Sequence, residues 1–371
     1  MGSVEVWKSG SLEINGTTGS TVNRQPPIAN RQPPTVNVNR QPNQMIKSYL
    51  TVAWRNLKKN KVYSFLNITG LAIGLASFLL IALYIMDEVS YDRFNVNADR
   101  IYRINSDIKL GGGELHMPVT SDMMGQLLIK DNPSIEQYTR IYNSRGPKMI
   151  KKDKVFINEN HVANVDSTFF DVFTLPALSG NTHTALIEPN TVVITESTAK
   201  KYFGSTDVLG KTIETNDDQD PNYKITAVIK DIPSNSHFHF DFLFSMKNAG
   251  YDWGQMTSHN FHTYLLLKKG ADYKQLEKNF DQYIDKYVLP SVRKFTKISS
   301  MDDFKKAGNQ LEYSLIPLTK IHLHSDRSFE LSATGNIQYV YIFGAVALFI
   351  LLIACINFMN LPTISITEVA N

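Results

Sequence analysis

The chain has 371 residues, with 38 Lys and Arg against 35 Asp and Glu, a formal charge of +3. So close a balance, with no basic stripe, argues against nucleic acid as a partner. A mean hydropathy of −0.20 means that most of the chain is soluble in character and any membrane part is a minority of it.

Residues 1–44 show almost no apolar periodicity and contain NRQPP twice and NRQP once. Proline blocks ladder hydrogen bonds, and Asn, Arg and Gln bury too little surface to offset chain entropy. The segment is expected to be a disordered extension, with Met45 as an alternative start. It has no apolar core, so it is not a secretory signal.

Residues 45–62 change character. Ile46, Leu50, Ala53, Trp54 and Leu57 fall on one helical face, and Lys47, Thr51, Arg55, Lys58 and Lys59 on the other. This predicts a basic amphipathic helix that lies at a membrane surface, with Trp54 at the interface. Trp54, Arg55, Lys58, Lys59 and Lys61 are its candidate contacts to lipid or to a cytoplasmic partner. Residues 66–86 then run without a charge, about 30 Å of helix and enough to cross a bilayer. Counting the flanks, the first span is expected at 63–87. Cations before it and Asp87-Glu88 after it put the amino-terminal end in the cytoplasm. Gly70 and Gly74 form a G-x-x-x-G pair, a candidate helix-packing face.

A second uncharged run, with its apolar heart at 339–358, predicts another span at 338–361 and a short cytoplasmic tail at 362–371. The lone cysteine, Cys355, lies inside it, so no intrachain disulfide forms. The two spans bracket residues 88–337, which must then lie outside the cytoplasm.

The bracketed region reads as one α+β domain. Runs 223–229 and 262–267 are rich in β-branched and aromatic residues and predict strands. Thr195 caps a helix that Gly204 stops, and Ser121 is placed to cap a short helix over 123–130. Tyr273, Leu276, Phe280, Tyr283, Ile284 and Tyr287 share an apolar face, which Pro290 is expected to end. Gly111 to Gly113 predict a flexible loop.

Chemistry is sparse. Gly204 and Gly210 have five residues between them before Lys211-Thr212, where a phosphate loop needs four, so this reads as a surface turn. His237 and His239, His259 and His262, and His322 and His324 tempt a metal reading, but no carboxylate or cysteine stands at a matching spacing. Phe238, Phe240 and Phe242 predict a strand with its phenylalanines inward and its histidines outward. Asp87, Glu88 and Asp92 read as a solvated face beside the span. No nucleophile stands with a base, so there is no catalytic, cofactor or metal site, and the chain is not an enzyme.

With these residues placed, the chain resembles MacB/FtsX-type ABC transporter permeases. The likeness is carried by AWRNLKKNKVYSFLNITGLAIGLA at the first span, SYDRFNVNADRIYRI, VDSTFFDVFTLPALSGN, ITESTAKKYFG, VIKDIPSNSHFHFDF, and PLTKIHLHS ahead of the second span. It covers about 45–361. It implies that 88–337 is a MacB-like periplasmic core domain and that the chain sits in a bacterial inner membrane as a multi-pass protein. It further implies a separate cytoplasmic ABC ATPase as partner, a homodimer or a pairing with another permease half, and no nucleotide site of its own. Such permeases continue with a basic loop, two further spans and a repeated half, so the chain is expected to be a truncated copy or an amino-terminal fragment. The topology alone also fits a two-span receptor whose outer domain senses a ligand or envelope stress.

Overall fold

The computed structural model describes residues 46–47, 50–51, 54–55, 58–59, 61–143, 146–216, 222–294 and 300–367, with side chains up to Met359. The expected disorder of 1–44 lies outside the described residues, as do Ala53 and Leu57 of the expected amphipathic face. The described residues between Ile46 and Lys59 are helical and exposed. Lys58 Nζ sits 5.5 Å from the Trp54 ring centroid, one helical turn apart.

Helix α1 spans Lys61–Val89. A long helix at the other end of the described chain, Ile337–Thr367, is its counterpart. Both are long and apolar enough to cross a membrane. Neither carries a polar stripe, as expected of a helix surrounded by lipid rather than laid on a core.

Between them, thirteen strands are formed: β1 (Ile101–Leu110), β2 (Gly113–Met117), β3 (Ile135–Tyr142), β4 (Lys148–Lys152), β5 (Val155–Glu159), β6 (Val162–Val165), β7 (Ala177–Gly180), β8 (Thr191–Thr195), β9 (Thr212–Glu214), β10 (Asn222–Ile229), β11 (Phe242–Ser245), β12 (His262–Leu267) and β13 (Gln310–Pro317). Eleven form one sheet in the order β13-β1-β12-β3-β6-β11-β8-β10-β7, with β2 on β1 and β9 on β10. β4 and β5 make a separate hairpin. Most pairs are antiparallel, but β8 and β10 run parallel because a helix crosses between them. Mixed pairing with few crossovers makes this an α+β fold.

The helices are short. α2 is Met124–Asp131, α3 Phe169–Val172 and α4 Glu196–Phe203. Thr195 caps α4 by accepting from Thr198 N, and Gly204 ends it at φ 68, as its sequence foretells. Ser121 does not cap α2: Met123 is its N-cap, with no side-chain bond, and the Ser121 hydroxyl faces Tyr283 Oη at 3.5 Å. The apolar face of 273–287 is not one straight helix. It runs through α5 (Tyr273–Lys278), α6 (Phe280–Tyr283) and a π-helical turn, Ile284–Val288. Pro290 then opens α7 (Leu289–Val292) rather than ending the segment, since proline is tolerated in a first turn. α8 is Met301–Lys306, α9 is Ile321–His324, and Ile337–Thr367 is α10.

Two further expectations change. Gly111 and Gly112 are a tight hairpin turn joining β1 to β2, with φ of 58° and 84°, not a flexible loop. Residues 237–241 are irregular, and the strand starts only at Phe242. Phe238, Phe240 and Phe242 are nevertheless buried, and Phe238 and Phe240 pack with Phe169 and Phe173 in the largest apolar cluster.

Candidate functional site at the joint between the apolar helices and the sheet

α1 runs into an irregular linker, residues 90–100, that leads to β1. Residues 325–336 form a second linker, from α9 to α10. Buried polar side chains pin both to the central strands.

On the first linker Asp92 is fully buried, at φ 60, a left-handed conformation that Asp tolerates. This corrects the expected solvated face, of which only Asp87 remains exposed. Asp92 N donates to Asn235 O at 2.8 Å. Asp92 Oδ1 accepts from His237 Nδ1 at 2.8 Å and from His237 N at 3.3 Å. His237 Nε2 lies 2.7 Å from the Tyr264 hydroxyl. An ionised carboxylate only accepts, so Nδ1 carries the ring proton and Nε2 takes the one that Tyr264 donates. Burial raises the Tyr264 phenol well above its ordinary range, which keeps that proton in place. His237 therefore points inward, against expectation, because an acid 145 residues away receives it.

Glu88, in the last turn of α1, makes the parallel contact: its Oε2 lies 3.0 Å from His322 Nε2. The Tyr91 ring stacks on His322 with centroids 3.4 Å apart and planes 3° from parallel. Burial first, and then the Glu88 charge, raise the Tyr91 phenol.

The second linker reaches the same two histidines from the other side. Ser332 Oγ donates to His237 O at 2.8 Å, and Gly335 N donates to His322 O at 2.9 Å. His237 thus binds a carboxylate of the first linker by its ring, His322 binds one in the last turn of α1, and each accepts a donor of the second linker by its carbonyl. Gly335 has no room for a side chain: a Cβ would stand 2.6 Å from Glu88 Oε2 and 3.0 Å from His322 Nε2.

Arg103 ties the second linker to the sheet. It is opposite Tyr264 in the β1–β12 register and fully buried. Its guanidinium grips Glu330 in a fork, at 2.5 and 2.7 Å, and also donates to Asn105 Oδ1 and Ser325 Oγ. Further along, Arg327 holds Asp107 by two bonds of 2.7 and 2.9 Å. Burial alone would raise the Asp107 carboxyl, but Arg327 and His116 together hold it below its ordinary value.

This constellation is suited to hold and position: Asp92, His237 and Tyr264 are each at most 3% exposed. Removing one partner of the buried Arg103–Glu330 ion pair costs about 3–5 kcal/mol, because the other charge is left uncompensated.

The residues singled out in the sequence lie elsewhere. A Cβ on Gly74 would lie 3.2 Å from Ala354 Cβ, and one on Gly70 would lie 3.4 Å from Asn357 Nδ2, so both glycines face α10. Asn357 Nδ2 also donates to Asn67 O at 2.9 Å. Trp54, Arg55, Lys58 and Lys59 are exposed, and Lys61 begins α1. Lys211 of the phosphate-loop near miss lies over the Phe203 ring, at 5.2 Å. Among the described residues no three His, Cys, Asp or Glu are grouped to hold a metal ion. The sequence groups Asp87, Glu88 and Asp92 as one face and pairs His237 with His239 and His322 with His324; nothing in the spacing joins the acids to the histidines.

Solved structures give similar chains. A domain of a permease protein from Porphyromonas gingivalis is 24% identical, with 67% of this chain and 98% of that one covered at a TM-score of 0.49. The periplasmic region of MacB from Actinobacillus actinomycetemcomitans is 12% identical, with 60% and 91% covered at 0.41. The extracellular domain of the transporter YknZ from Gram-positive bacteria is 13% identical, with 58% and 99% covered at 0.36. No curated protein matches the chain. The family model described as the MacB-like periplasmic core domain matches residues 64–283, more than half of the chain. The chain therefore belongs to the family of the MacB-like periplasmic core domain, found in ABC transporter permeases.

Proposed function

We propose that the chain is the permease subunit of a MacB/FtsX-type ABC transporter, or its amino-terminal part, and that it converts the closing of a separate cytoplasmic ATPase into movement of a periplasmic domain, for export or envelope work. α1 and α10 cross a bacterial inner membrane, with spans at 63–87 and 338–361 and the core domain, 88–337, on the periplasmic side. The helix at 45–62 stays in the cytoplasm, where Trp54, Arg55, Lys58, Lys59 and Lys61 meet lipid or the ATPase. Gly70 and Gly74 let α10 approach closely within the bilayer.

One observation supports the reading beyond family membership: His237 joins the linkers of both spans, and His322 joins the end of α1 to the second linker. A force applied to either helix is delivered to β1 and β12 through buried bonds, not through a slack tether. Packed networks of this kind move as a unit rather than deform.

The test is co-purification of the tagged full chain from its own membranes with an ABC ATPase encoded nearby. The expected outcome is a stoichiometric complex that the triple charge reversal of Arg55, Lys58 and Lys59 to Glu weakens. No complex, even with the two further spans supplied in trans, would rule the reading out.

A further inference from the structure

Four non-glycine residues among those described have a positive φ. Asp92, Asp153 and Asn190 are of types that tolerate it. The fourth is Phe329, at φ 69, where a bulky side chain is strained. Phe329 lies in a turn of the second linker, and its neighbours hold it there. Ser328 N donates to His116 O at 3.1 Å, Arg327 donates to Ser106 O at 3.2 Å as well as to Asp107, and Glu330 lies in the Arg103 fork. The ring gains little from its own chain, since Phe329 is 71% exposed. Glycine would take the same turn without strain.

The same bonds set Phe329 beside a cleft of about 440 Å³, on a face that β1 shares with β2 and β13. The register places Asp107 between His116 and Glu312 there, and Lys109 next to Glu114. Asp326 and Arg327 close the cleft from the linker side. Arg327 is occupied by Asp107, so Lys109 is the permanent cation left in the lining against Glu114, Glu312 and Asp326, all exposed. The side chains of Glu312 and Asp326 have no partner among the described residues.

We propose that Phe329 and this cleft form one docking surface for another protein, which takes the ring into an apolar socket and sets Lys or Arg side chains against Glu312 and Asp326. An aromatic anchor gives such a contact its strength, and complementary charge around it gives the contact its specificity. The acids decide the occupant. They repel an anionic lipid surface, and a twofold pairing with a second copy would set the same acids against one another. Arg327 and Glu330 fix the backbone on both sides of the ring before any partner arrives, which lowers the cost of association. The surface stands apart from the joint and does not depend on the transport reading.

The test begins with p-benzoylphenylalanine in place of Phe329 in the full chain, irradiated in living cells, with the adduct identified by mass spectrometry. The cross-linked protein is then purified and titrated calorimetrically onto the full chain in phosphatidylcholine nanodiscs. Saturable binding is expected, which Phe329→Gly weakens roughly tenfold or more with Tm no lower than the parent's. Glu312→Gln combined with Asp326→Asn is expected to weaken it too, and to flatten its decline with added salt. No adduct, adducts with lipid or a second copy alone, or an affinity that either the Phe329 variant or the acid variant leaves unchanged would each overturn the proposal.

Discussion

His237 is the residue on which the joint is most sharply tested. Its ring satisfies Asp92 and Tyr264, and its carbonyl receives Ser332, so one residue links both linkers to β12. His237→Ala would leave the Asp92 carboxylate buried without its ring donor, at a cost of about 1.5–3 kcal/mol, the worth of a hydrogen bond to a charged group. His237→Gln, which can still offer an amide donor, is expected to lose less. Thermal unfolding of the full chain in detergent would rank the two; equal Tm values for both variants and the parent would mean that the bond contributes nothing. His262 makes a prediction about pH. It is 2% exposed, and burial first, then the Arg103 charge, hold its pKa well below the ordinary value. The unfolded chain therefore binds a proton below about pH 6.5 that the native state refuses, so stability is full above that pH and falls as the pH drops beneath it. His262→Gln should flatten this slope between pH 7 and 5. An unchanged slope would show that His262 is protonated without penalty.

At the scale of elements, the approach of the two linkers depends on the absence of a side chain at Gly335. Gly335→Ala forces a Cβ to within 2.6 Å of Glu88 Oε2, where Glu88 or the linker has to move. The expected cost is about 1–3 kcal/mol, read as a lower Tm, whereas Gly113→Ala, at an open hairpin, serves as the control. Gly74→Leu should instead separate α1 from α10 and reduce cross-linking between cysteines placed along that seam. Several elements were legible from sequence because their signals are local. Thr195 and Gly204 bracket α4, and runs 223–229 and 262–267 are rich in the β-branched and aromatic residues that strands favour. The joint was not legible, because its bonds join residues 145 and 234 positions apart, and no periodicity reports a partner that distant. Strand alternation places the histidines opposite the inward phenylalanines, facing water, where an isolated imidazole avoids the cost of burial. Asp92 removes that cost. Pro290 was read as a stop because its ring breaks helix interiors, but the π-helical turn before it opens a new first turn there.

For the whole molecule, the proposed arrangement is a periplasmic domain held at a membrane by two spans, and the two helices long and apolar enough to cross one are what support it. Both linkers are short and bonded along their length, so domain and helices respond together. Had the linkers been glycine-rich and unpaired, the domain would have been a tethered body and α1 a mere anchor. Arg103 and Arg327 argue against that by fastening the second linker to β1 at two points. The arrangement is tested most directly by the sidedness of single cysteines in a Cys355→Ser background. A cysteine at Lys154, on the exposed β4–β5 turn, and one at Lys59 would be probed with a membrane-impermeant maleimide on intact spheroplasts. Labelling of K154C from outside, with K59C reacting only after permeabilisation, is the predicted result. Labelling of K59C in intact cells while K154C stays silent would contradict the account.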